Sequence, residues 1–211
     1  MVRRTLFTRE DVIKAGLAVM DTDGVDNLSA RRVAEEMGAS TAPVYSNFQN
    51  MDDLVMAVKQ AAVGLLLELT LEKHTENAFL NMGVGVLEFA RRHPRLYVAL
   101  FLQANDDCEA GPGVMAELLE RMAVLPDLEK LKPVERIILL RKVATFTHGL
   151  ATQVCSGLPP GIKWDDLLHL LDEVGIAILD DAVARSPRSD EDLASLGSLC
   201  ELSLQPKKDA K

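Results

Sequence analysis

The chain has 211 residues, 48% of them apolar and only 4% aromatic, with a formal net charge of −9, so burial is not the limiting problem. The acidic balance excludes a global basic footprint for nucleic acid; residues 1–50 alone hold six basic against seven acidic side chains. Cys108, Cys155 and Cys200 are odd in number, far apart and form no CxxC, which excludes a disulfide framework and a zinc site built on them.

Helical periodicity dominates, no strand signal is present, and about nine segments follow in chain order. Thr8 caps a first helix with Glu10 and Asp11 in its opening turn, and Val12, Ala15, Gly16 and Val19 form its inner face up to Gly24. Ser29 caps the second, with Val33, Ala34 and Met37 inward and Gly38 as the left-handed residue that ends it. Ser40 is the expected cap of a very short third helix. Asn50 caps a fourth, which runs through Val55, Val58, Ala62, Leu65, Leu66 and Leu69 to about Lys73, with Asp52 and Asp53 near the positive end of its dipole. Beyond it, segments 76–92, 94–105, 113–130, 133–156 and 164–185 each carry an apolar stripe, and Pro94 and Pro133 fall where a first turn tolerates them. The expected fold is all-α: an N-terminal three-helix unit (residues 1–50), a helical bundle (51–205) and a flexible tail (206–211).

Residues 29–48, SARRVAEEMGASTAPVYSNF, read as helix, tight turn, short helix. That is the spacing of a helix-turn-helix, whose second helix lies in the DNA major groove while the first braces it. Small Ala34 permits a close crossing, Gly38 makes the turn, and Val44 points into the core, leaving Thr41, Ala42, Ser46 and Asn47 outward. Pro43 is harmless at the expected third helical position because its missing N–H has no intrahelical acceptor.

With its flanks this stretch resembles the TetR family of bacterial transcriptional regulators. The residues that carry the likeness are Leu28, Ser29, Arg31, Val33, Ala34, Met37, Gly38, Ala39, Ser40, Val44, Tyr45, Phe48, Met51, Asp52 and Leu54. A weaker likeness lies in THGLATQVCSG, residues 147–157. The resemblance implies a homodimeric repressor with a pseudo-palindromic double-stranded DNA operator and a small-molecule effector bound by the bundle. It places Thr41, Ala42, Pro43, Ser46 and Asn47 at base- and groove-facing positions, Tyr45 at a phosphate and Arg31 as a brace. Met51 departs from the family, since many members have a backbone-gripping Lys there; that contact is either absent here or comes from backbone N–H groups and Lys59.

In the bundle, Met82, Phe89, Phe101, Met115, Met122, Phe146 and His148 are the candidate lining of an adaptable pocket for an apolar effector, with His148 read first as a packing residue. Dimerisation is expected through the last two helices, on Ile137, Leu140, Ala144, Leu150 and Ala151 and on Leu167, Leu168, Leu171, Val174 and Ile178. The fourth helix is the expected lever between pocket and DNA, tilting when a cavity near Leu65–Leu69 fills. His74, His93 and His169 have no metal-ligand spacing, and no metal or cofactor is expected. Acids beside Cys108 disfavour its thiolate, and Cys155 is expected to be buried. No GxSxG, phosphate loop or HExxH is present, so the chain does not read as an enzyme. Without an h-region or an apolar run of about 18 residues, the expectation is a cytoplasmic protein that does not enter the membrane. The alternative is a helical small-molecule-binding or interaction module with a vestigial helix-turn-helix.

Overall fold

The computed structural model describes residues 7–103, 110–126, 128–187 and 189. Among them the regular structure is entirely helical: α1 (Arg9–Asp23), a 3-10 turn (Val25–Asn27), α2 (Ala30–Glu36), α3 (Ala42–Asn47), α4 (Met51–Leu69), α5 (Ala78–Arg92), α6 (Pro94–Phe101), α7 (Ala110–Met122), α8 (Pro133–Ser156) and α9 (Trp164–Ala184). The expected tail, Cys108 and Cys200 lie outside the described residues. No described helix is long and apolar enough to cross a membrane.

Local chemistry sets most boundaries. Thr8 and Asp11 form a reciprocal capping box at the start of α1. Ser29 Oγ accepts from the Arg32 N–H, and Asn50 Oδ1 from the Asp53 N–H, so α2 and α4 begin on their expected caps. Gly38, at φ +61°, closes α2 in the left-handed region. Asn77 Oδ1 receives the N–H groups of Phe79 and Leu80, so α5 starts at Ala78 rather than at residue 76.

Four further expectations fail. Thr41, not Ser40, is the N-cap of α3, and its side chain makes no capping bond. The fourth helix stops at Leu69 because Thr70 turns its hydroxyl onto the Leu67 carbonyl instead of continuing. The sixth ends at Phe101, short of residue 105. The seventh runs 110–122 rather than 113–130: Pro126 disfavours helical backbone at Leu125, and turns carry Leu128 and Leu131 into the core.

Two layers of core follow. In the N-terminal unit Val12, Val19, Val33, Val44 and Phe48 enclose Leu54 and Val58, which arrive from the first half of α4. In the bundle Leu87, Phe89, Leu96, Tyr97, Leu100, Met122 and Leu139 are fully covered. Each large apolar side chain removed from water contributes about 1.5–3 kcal/mol. The dimer stripes expected on the last two helices are largely interior: Ile137, Leu140, Leu150, Ala151, Leu167 and Leu171 are buried within the single chain. The apolar side chains that α9 leaves exposed are different ones, Leu170, Ile176 and Val183.

Candidate nucleic-acid interface and bundle interior

Val44 and the preceding Gly38 turn dock α3 on α2 with one face inward, Val44 being 1% exposed. The opposite face is open. Ala42 and Ser46 are exposed, Thr41 and Pro43 are half-buried, and Tyr45 stands 64% exposed. Ser46 folds its hydroxyl onto the Pro43 carbonyl at 3.0 Å. Pro43 is the second helical residue rather than the third, because the N-cap falls on Thr41 instead of Ser40.

Asn47 sits differently from the expectation. It is half-buried, and its amide nitrogen donates to the carbonyls of Pro43 at 2.9 Å and Phe7 at 3.4 Å. The side chain thereby ties the segment before α1 to the end of α3. A bidentate amide contact with adenine needs that N–H group as well as the oxygen, so base reading by Asn47 requires these bonds to open.

The cations beside α3 are already paired. Arg9 stacks over the Phe48 ring at 4.2 Å and bonds Asp53 at 3.4 Å. Arg32 is held by Asp23 at 2.6 Å and Glu35 at 3.0 Å, and the hydrogen bond from Arg32 keeps the Asp23 carboxyl below its usual range. Arg32 is thus an internal strut. Arg31, with its side chain 85% exposed, bonds Glu35 at 2.9 Å, and that bond, followed by the one from Arg32, depresses the Glu35 carboxyl. An exposed pair of this kind is worth at most about 1 kcal/mol, so a phosphate can compete for Arg31. Lys59 is 8% exposed, which removes it as a substitute for the missing Lys at position 51. Met51 instead packs half-buried against the N-terminal core. Gln49, exposed between α3 and α4, is a polar neighbour that the sequence pattern did not single out.

In the bundle, none of the candidate lining residues borders either of two concavities among the described residues. Phe89, Phe101 and His148 gather around a residue the sequence reading passed over, Tyr97, which is 1% exposed. Its hydroxyl lies 2.7 Å from His148 Nδ1, and burial raises its pKa, so it stays a neutral partner for the imidazole. His148 is a hydrogen-bonded packing residue. Met82 and Met122 are buried, while Met115 and Phe146 pack half-buried at the margin. Two concavities are lined entirely by other residues: a narrow gap of about 10 Å3 where Gly83 of α5 faces Leu171 and Gly175 of α9, and a cleft of about 400 Å3 between α1 and α6. Cys155 is half-buried beside that cleft rather than fully buried.

Comparison with known proteins follows the same division. Residues 12–58 match the family model of bacterial regulatory proteins, tetR family. An uncharacterised helix-turn-helix-type transcriptional regulator of Mycobacterium tuberculosis is 23% identical over 103 residues, 47% of this chain. The match spans about half of that relative's length, again 47%. Over nearly the whole chain the fold is similar to a TetR-type transcriptional regulator of Streptomyces coelicolor, with TM-score 0.56, 16% identity and coverage of 95% of this chain and 100% of the other. It is also similar to a TetR variant of Acinetobacter baumannii solved in complex with minocycline, with TM-score 0.51, 18% identity and coverage of 84% and 95%.

Proposed function

We propose that this chain, a member of the TetR family of DNA-binding transcriptional regulators and not an enzyme, is a homodimeric repressor released from a pseudo-palindromic operator by a small apolar effector. The observation that carries the reading is the open face of α3: a short helix docked by Val44, presenting Ala42 and Ser46 with Tyr45 exposed beside them. Small groups let a helix approach base edges closely, and a tyrosine hydroxyl at the rim supplies a phosphate contact that positions without reading sequence. Thr41, Pro43 and Asn47 complete the groove-facing set, and Arg31 exchanges Glu35 for a phosphate.

Residues 1–50 read DNA in this proposal and residues 51–205 bind the effector and dimerise, with α4 shared between them. Support for the dimer comes from α9, where Leu170, Ile176 and Val183 lie exposed, and from α8, whose exposed Thr145 and Gly149 are small enough for close packing. The effector would enter the bundle among Met82, Phe89, Phe101, Met115, Met122, Phe146 and His148, side chains that adapt readily to an apolar guest. The Acinetobacter baumannii neighbour, solved in complex with minocycline, supports a small-molecule effector. A reducing cytoplasm suits the scattered cysteines.

The test is electrophoretic mobility of DNA from upstream of the chain's own gene, at low and moderate salt, with the wild type and Tyr45→Phe. A specific shift that the variant weakens by about 1 kcal/mol, equally on specific and random DNA, is expected. If the wild type shifts no DNA at either salt, the reading fails, and a helical small-molecule-binding module with a vestigial helix-turn-helix takes its place.

A further inference from the structure

The short helix α3 brings no charge of its own to a polyanion: none of its residues, Ala42 to Asn47, is basic or acidic. The cations around it are engaged. Arg9 is held by Asp53 at 3.4 Å and lies 4.2 Å from the centre of the Phe48 ring, Arg32 is held by Asp23 at 2.6 Å, and Arg31 by Glu35 at 2.9 Å. Sequence-independent affinity for double-stranded DNA comes from cations that neutralise its phosphates. Of the six basic residues among 1–50, three therefore remain: Lys14, exposed on α1, and the doublet Arg3-Arg4, which lies outside the described residues.

The chain that leads from the doublet into α1 is fastened beside the end of α3. Asn47, the last residue of α3, donates through Nδ2 to the Phe7 carbonyl at 3.4 Å, and Arg9, two residues further on, stacks over Phe48, which closes the same helix. Two acids at this corner are turned to backbone, Asp11 accepting from the Thr8 N–H at 2.9 Å and Asp53 from the Gln49 N–H at 3.2 Å. Arg4 and Arg3 precede Phe7 by three and four residues, so chain length alone keeps their Cα atoms within about 11 and about 14 Å of it. The major groove is about 12 Å wide. A tether of that length, with an arginine side chain at its tip, reaches from the end of a helix seated in the groove to a bordering strand.

We propose that Arg3 and Arg4 are a basic arm that neutralises phosphates on the strand bordering the groove that α3 enters, and that Asn47 is the positioning residue that moors the root of this arm through the Phe7 carbonyl. The proposal rests on the DNA-binding reading above. The arm supplies charge where α3 has none, and it adds affinity without reading sequence, because a phosphate presents the same oxygens at every base pair. Lysine serves a phosphate as a point charge, so the arm requires cations at these two positions rather than the guanidinium fork.

Fluorescence anisotropy of the full chain with a random-sequence duplex across a salt series is the test. Arg3→Ala combined with Arg4→Ala is expected to lower the slope of log affinity against log salt by about two units per protomer, so that about tenfold of the fall between roughly 50 and 200 mM salt disappears. The melting temperature should not change, since both residues precede the Thr8 cap. Arg3→Lys with Arg4→Lys should keep the slope, and Lys73→Ala, which removes an exposed cation beyond the far end of α4, should leave it unaltered. Asn47→Ala should lower the slope when the doublet is present and not when it is absent, a coupling that a mere loss of stability does not produce. If the wild type binds no duplex, the DNA-binding reading falls and the arm with it. If the wild type binds but the doublet variant shows the same affinity and slope, the arm alone is overturned. An intact slope with affinity lost on one duplex sequence only assigns the doublet to base reading and likewise overturns it, and an Asn47→Ala effect on slope that persists without the doublet overturns the mooring.

Discussion

At its N-terminal end α4 begins on a side-chain cap, Asn50 Oδ1 accepting from the Asp53 N–H at 2.8 Å, among exposed polar neighbours. At its far end, roughly 28 Å away at 1.5 Å per residue, it stops against backbone and a half-buried cation. There Gly85 of α5 crosses so closely that an added Cβ would lie 2.5 Å from the Leu69 carbonyl oxygen and from Thr70 Cα. From the other side Arg121 of α7 donates through one Nη to the Leu67 carbonyl at 3.0 Å and to Thr70 Oγ1 at 2.6 Å. One end adds to the buried Leu54 and Val58 an exposed local cap that water can replace; the other is pinned by backbone and side-chain contacts from two neighbouring helices. The difference bears on the lever role expected for this helix. In the proposed regulation residues 65–69 would be the fixed point of that lever, about which a few degrees of rotation displaces the Asn50 end by an ångström or two.

Gly85→Ala is the sharpest way to break the comparison. The new methyl meets backbone, which cannot swing aside as a side chain would, so a loss of about 1–3 kcal/mol and a fall of several degrees in melting temperature are expected. A variant that melts like the wild type would show that the far end of α4 is not pinned at all. Arg121→Met comes next. It keeps the length of the side chain but removes both bonds to the end of α4, at an expected cost of about 1–2 kcal/mol. Its distinguishing signature is local: amide hydrogen exchange at Leu69 to Leu71 should quicken more than at Val55 to Val58. At the other end Asn50→Ala deletes the cap for about 1 kcal/mol, with faster exchange confined to Asp52 and Asp53. Should Asn50→Ala cost more than Gly85→Ala in thermal melting, the ranking of the two ends is reversed.

The capped end was legible in the sequence and the pinned end was not, for a physical reason. Thr8, Ser29 and Asn50 act on N–H groups three residues away, so their role is written locally; Gly38 likewise answers to its own backbone angle. Gly85 and Arg121 act on residues from 15 to 54 positions distant, and nothing in their neighbourhoods marks them. The same split runs through the candidate site. Val44 and Tyr45 could be assigned inward and outward from helical spacing, but Asn47 was expected to point outward, and its tie to Phe7 depends on where the chain before α1 passes. Lys59 reads as an available cation and is buried, and the surplus apolar residues of α9 are not those of its strongest stripe. Periodicity finds a helix's core face; it does not tell which partner covers a second face.

The smallest expected effect lies beside α3, where Glu35 and the proposed DNA phosphate share Arg31. Arg31 and Glu35 are four residues apart on α2, both exposed, and bonded at 2.9 Å. Glu35→Gln removes the carboxylate that occupies Arg31 and a negative charge beside the proposed phosphate contact, while Asp23 continues to hold Arg32. Stability should change by no more than about 0.5 kcal/mol, as for most exposed pairs. DNA affinity should rise a few-fold at low salt, with one further phosphate contact steepening the salt dependence by about one unit of slope. Fluorescence anisotropy across a salt series measures both quantities at once. A fall in affinity would mean that Glu35 aims Arg31 at the DNA instead of withholding it, and the capped end of α4 would then stand beside a preorganised contact rather than an idle one.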